Sequence, residues 1–141
     1  MKTITISHAF VESIPKPMQP RMVYISIRFA MVGHLCCCGC GEEVMTPLNP
    51  VRWRLEYDGR SVSLRPSIGN WSLPCRSHYW IINNSIQWAE DWSEAKIARA
   101  IKADRRTLDE HIEYEMVERS PDQTPAPGWF AKLRSWLVRN R

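Results

Sequence analysis

Cys36, Cys37, Cys38 and Cys40 fall within five consecutive positions, and a distant stretch carries Pro74-Cys75-Arg76-Ser77-His78. Cysteines this close in sequence cannot readily meet the Cβ geometry of a disulfide. In a reducing compartment such a cluster reads as metal ligands. Zinc takes four tetrahedral ligands and favours thiolate with imidazole. Donors arriving from two separate loops would let one ion cross-link a small fold. Gly39 and Gly41 let the backbone turn its N–H groups toward the sulfurs. The spacing leaves the choice of sulfurs open: Cys38 with Cys40, Cys37 with Cys40, or Cys36 with Cys38. Cys75-x-x-His78 adds a second pair at knuckle-like spacing, and His34 lies just upstream. So many donors easily fill a closed, structural site with no position for water. The competing reading is a set of reduced thiols in a core.

Around these loops the pattern is that of strands. Val23, Ile25 and Ile27 alternate with Tyr24, Ser26 and Arg28, the period-two mark of a half-buried strand. Trp53, Leu55 and Tyr57 lead through Asp58-Gly59 to Val62 and Leu64, a hairpin signal. Tyr79 to Ile82, Asn83-Asn84 and Ser85 to Trp88 form a second. Pro15, Pro17 and Pro20 mark a stiff segment before the first of these strands. Beyond Glu90 the period changes. Asp91 and Glu94 resemble a capping box, and Ile97, Ile101, Leu108 and Ile112 form one helical stripe.

These features predict an α+β protein. A small antiparallel β-rich zinc-binding domain occupies 1–90 and an amphipathic helix 91–117. A Pro-rich linker (118–128) and a basic amphipathic tail helix (129–141) follow. The tail joins Trp129, Phe130, Leu133, Trp136 and Leu137 to four basic residues and no acid. It suits docking on its own domain, on a partner protein, or on an anionic membrane or nucleic acid. The net charge of +4 is too mild, and too mixed along the body, to point to nucleic acid. The chain has no apolar run of the ~18 residues that a membrane span needs, and its first residues lack the apolar stretch of a leader. The expectation is a cytoplasmic protein. Five of the seven Trp (Trp53, Trp71, Trp80, Trp88, Trp92) are close in sequence, which predicts a bulky aromatic core.

Two kinds of hydrolytic chemistry can be tested against the letters. A zinc deaminase needs His-x-Glu before its Pro-Cys motif, but Cys36 stands where that Glu belongs. Nucleophilic hydrolysis needs a hydroxyl beside an imidazole. Ser67, Ser77, His34 and His78 all lie near the cysteine loops, and Pro66-Ser67-Ile68-Gly69-Asn70-Trp71 is a dense polar stretch between apolar strands.

The run His34-Leu35-Cys36 to Gly41, then Thr46-Pro47-Leu48, Trp53-x-Leu55, Asp58-Gly59, Pro66-Ser67-Ile68-Gly69-Asn70-Trp71 and Cys75-x-Ser77-His78-Tyr79-Trp80-Ile81, resembles a small bacterial Cys/His family over about residues 10–90. Its genes lie beside those for ubiquitin-like modifiers and their activating and conjugating enzymes. In that pattern the position of Cys37 varies, which implies a ligand pool of Cys36, Cys38, Cys40, Cys75 and His78. The resemblance also implies partners, namely a ubiquitin-like modifier and its activating and conjugating enzymes. The implied activity is peptidase-like, trimming the modifier or removing it from targets, with Ser67, Ser77 or His34 lining a cleft beside the metal. The alternative is a non-catalytic zinc-ribbon adaptor or ligase-type module that docks the modifier or conjugating enzyme through its Trp-rich face.

Overall fold

The computed structural model describes residues 4–49 and 51–118. Among them nine strands form two sheets, followed by one helix. The strands are β1 (Ile4–Thr5), β2 (Ser7–Phe10), β3 (Met22–Ser26), β4 (Met31–Leu35), β5 (Glu43–Pro47), β6 (Arg54–Tyr57), β7 (Val62–Gly69), β8 (His78–Ile82) and β9 (Ser85–Trp88); the helix α1 spans Glu94–Glu118. One sheet runs β1-β9-β8-β7-β6 and the other β2-β3-β4-β5. The fold is α+β and mostly antiparallel, with one parallel pair, β2 with β3. Among the described residues, those up to Leu108 form one compact unit and those from Asp109 belong to a second. The linker and tail helix expected beyond residue 118 lie outside the described residues.

Both expected hairpins form. Tyr57 pairs with Val62 across the Asp58-Gly59 turn, where Gly59 has φ 90°. The Asp58 carboxylate accepts the N–H groups of Arg60 and Ser61. Asn83 and Asn84 both adopt positive φ between β8 and β9, the backbone that a tight two-residue turn requires. Asn84 also accepts the Val62 N–H through its side chain, tying the turn to β7.

The first sheet residues differ from the alternating pattern. β3 lies between β2 and β4, and Val23, Tyr24, Ile25 and Ser26 are all buried. Its second face is covered by the proline-bearing segment, since a side chain on Gly33 of the neighbouring strand would strike Ile14 and approach Met18. That segment follows two strands, β1 and β2, instead of preceding the first. Ile27 leaves the strand and is 67 % exposed in the β3–β4 turn.

The core lies between the sheets. Val23, Ile25, Val32 and Val44 of one meet Leu64, Ile68, Tyr79 and Ile81 of the other. The expected tryptophan core does not form: among the described residues no Trp is fully buried. Trp71, Trp80 and Trp92 gather instead around His78, while Trp53 packs at the margin of the core and Trp88 lies against Tyr79. Helix α1 starts on Ser93, whose carbonyl accepts the N–H groups of Lys96 and Ile97. The cap is therefore two residues beyond Asp91. Of the stripe's four residues Ile97 alone is buried, while Ile101 and Ile112 are exposed.

Candidate functional site

Two centres flank the β7–β8 hairpin. The first is a thiol cluster. The β4–β5 connection closes with Cys36 N–H donating to the Glu42 carbonyl, and Gly39 and Gly41 take positive φ inside it. This loop carries Cys36, Cys38 and Cys40. The β7–β8 loop, closed by the Asn70 N–H on the Ser77 carbonyl, brings Cys75 to meet them. The four sulfurs all lie within 4.8 Å of one another. Cys36 Sγ is 3.4 Å from Cys38 Sγ and 3.8 Å from Cys75 Sγ.

Sulfurs bound to one tetrahedral zinc at ~2.3 Å sit roughly 3.8 Å apart, so the set matches such an ion. The backbone is arranged for thiolates. The Ser77 N–H and hydroxyl hold the Cys75 thiol down at about 6. Cys38 and Cys40 accept the N–H groups of Cys40 and Glu42. Desolvation, with the neighbouring thiols of Cys36, Cys40 and Cys75, nonetheless pushes Cys38 up to about 12. The four cysteines close together can hold a metal ion.

Cys37 and His34 stand outside the cluster. Burial pushes the Cys37 thiol up to about 12. His34 is buried with Nε2 at 2.9 Å from the Tyr79 hydroxyl, and burial lowers its pKa to about 4. Ser77 faces inward, its hydroxyl 3.0 Å from Cys36 Sγ and accepting from Asn70 Nδ2 at 2.9 Å. It therefore braces the thiol cluster from behind.

The second centre holds the other predicted residues. His78, expected in the ligand pool, does not join the thiols. Its Nε2 is 2.9 Å from Ser67 Oγ, and its Nδ1 is 3.3 Å from the Glu90 carbonyl oxygen. A carbonyl only accepts, so Nδ1 carries the proton and Nε2 presents its lone pair to the Ser67 hydroxyl.

The β-sheet register explains the meeting. His78 pairs with Gly69, so Ser67, two residues along, lies diagonally on the same face. Between Leu64↔Ile81 and Ile68↔Tyr79, β7 advances four residues against two on β8. This bulge holds Arg65, Pro66 and Ser67, and bulges re-aim side chains in this way. Pro66, without an N–H, is tolerated at such an interruption of the ladder.

Trp71, Trp80 and Trp92 surround the imidazole at ring-centroid distances of 4.9, 5.6 and 4.7 Å. Ser67 and His78 open into a cleft of about 320 Å³ walled by Trp53, Trp71 and Trp92, with α1 contributing Ala100, Ile101 and Asp104. The aromatic cluster thus builds a cleft instead of a core. The Glu90 carbonyl is the participant that sequence reasoning missed; a backbone acceptor leaves no signature in residue type.

A family model described as bacterial ubiquitination-like system serine protease (BubE) matches residues 10–89. The chain belongs to this family. A search of curated proteins and one of solved structures found no match. The BubE match contains the thiol loops, the β7 bulge and both His78 and Ser67, but ends one residue before Glu90. Its description names a serine protease within a ubiquitination-like system, the setting that the sequence resemblance implied. Among the described residues no helix is long and apolar enough to cross a membrane.

Proposed function

We propose that this chain is a serine peptidase of a bacterial ubiquitin-like pathway, cutting the modifier's peptide or isopeptide bonds, with Ser67 as nucleophile and His78 as general base. The observation that carries this reading is the 2.9 Å contact between Ser67 Oγ and a His78 Nε2 left free to accept. His78 takes the hydroxyl proton as Oγ attacks the scissile carbonyl, and then delivers it to the leaving amine. Water deacylates Ser67 by the same relay. The Glu90 carbonyl fixes the imidazole's tautomer and orientation, the part that a carboxylate plays in a Ser-His-Asp triad. The surrounding indoles limit water around the imidazole and the acyl-enzyme.

The thiol cluster supports a structural role for zinc. Cys36, Cys38, Cys40 and Cys75 would fill all four positions, so the ion's chemistry there is cross-linking the two loops. The β7–β8 loop carries Cys75 four residues from Trp71 and three from His78, which couples the metal to the geometry of the dyad.

Cleavage of a fusion of the cognate ubiquitin-like modifier to a reporter tests the reading. The full chain should cut it, and Ser67→Ala should abolish cutting with an unchanged melting profile. Retained cutting by Ser67→Ala would contradict the assignment. Ser67→Ala also decides against the adaptor alternative, in which function rests on binding and survives the substitution.

A further inference from the structure

The cleft at Ser67 continues past Pro66 into a second cavity of about 440 Å³. The two share Arg52, Trp53 and Pro66, and the second is lined further by Arg54, Arg65 and Trp80. Three arginines thus line one groove, and among the described residues no carboxylate lines it, although Asp104 lines the adjoining cleft. Nearby carboxylates offset them only in part. Glu56 bridges Arg54 and Arg65 at 3.0 and 3.3 Å, and Asp104 takes two hydrogen bonds from Arg52. One guanidinium charge remains in excess. The Glu56 pairs lie in solvent, where such contacts contribute little and exchange readily.

We infer that this groove is a specificity subsite for acidic side chains, Asp or Glu, of the peptide that Ser67 cleaves. The inference rests on the peptidase reading and names the class of substrate for it. A peptide running from Ser67 over Pro66 passes the arginines within a few residues, at ~3.3 Å per extended residue. Guanidinium groups suit this task because their planar forks bind carboxylates in two-point fashion. Arg65 also shares the bulge with Ser67 and Pro66. The bulge therefore sets nucleophile and subsite in fixed relation. Trp80 and Trp53 supply an apolar part of the groove's lining.

The test is a binding measurement that does not need catalysis. Fluorescein-labelled Ala/Gly peptides carrying three Asp or, in the same positions, three Asn are titrated with the full-length Ser67→Ala chain and followed by polarisation. The Asp peptide should bind at least about tenfold tighter, the margin shrinking as salt rises. Arg54→Gln/Arg65→Gln in the same background should erase the preference without changing the melting profile. Lys16→Gln/Arg28→Gln, which removes equal charge from the connections flanking β3 of the other sheet, should keep it. Equal behaviour of the two peptides, absence of binding by either, or equal loss in both double variants would overturn the subsite. Failure of the peptidase reading shows separately, as lack of hydrolysis by the unaltered chain while the Asp preference persists.

Discussion

The indole of Trp71 occupies the space that a side chain on Gly69 would need: a Cβ there would lie 2.4 Å from Nε1 and 2.6 Å from Cε2. Gly69 also pairs directly with His78 across the ladder, and Trp71 rests against the imidazole. The glycine is therefore required for close approach. Gly69→Ala should displace the indole, cost about 1–3 kcal/mol through overcrowding, and lower kcat/KM for modifier cleavage by roughly tenfold or more. Thermal melting and steady-state kinetics on the one variant check both; unchanged kinetics would show that Trp71 does not position His78.

Ser67 and Ser77 should separate cleanly. Ser77→Ala leaves Asn70 Nδ2 short of its nearest acceptor in a buried setting, so a stability loss of about 1–3 kcal/mol is expected. The folded fraction should still cleave. Urea denaturation with activity measured on the same sample distinguishes this from Ser67→Ala, which should lose activity alone.

Metal content should be one zinc per chain by elemental analysis, removed by Cys40→Ser or Cys75→Ser and retained by Cys37→Ser. Loss of the ion should lower the melting temperature by on the order of 10 °C or more. A chain that is metal-free as purified and melts like the zinc-loaded one would remove the structural role of the thiols.

His34 supplies a pH dependence with a definite sign. Burial lowers its pKa from about 6.5 to about 4, so the unfolded chain takes up the proton first as the solution is acidified. Its contribution to stability is complete above pH 6.5 and is lost as pH falls toward 4. His34→Gln cannot titrate. Its stability deficit relative to the unaltered chain should therefore narrow from pH 7 to pH 4, measured by chemical denaturation; a constant gap would contradict the assignment.

Much of this was legible in the letters because it was local. The Asp58-Gly59 and Asn83-Asn84 hairpins follow from residues that tolerate positive φ. The cysteine loops advertise their chemistry by composition, and Ser67 stood out in a polar run between strands. What the letters hid was register. His78 is a plausible ligand beside Cys75 until β7 and β8 pair; then it stands across from Gly69, and the bulge turns Ser67 to it. The tryptophans read as core because their burial depends on what lies over the sheet. Similarly, β3 alternates like a half-buried strand although the segment bearing Ile14 and Met18 covers its second face.

The most direct measurement is intact-mass analysis of the full chain treated with a fluorophosphonate, followed by mapping of the modified residue. A single adduct on Ser67 is expected, absent in Ser67→Ala and formed about 100-fold or more slowly in His78→Ala. A chain left unlabelled at Ser67, or a His78→Ala variant labelled at the original rate, would contradict the account.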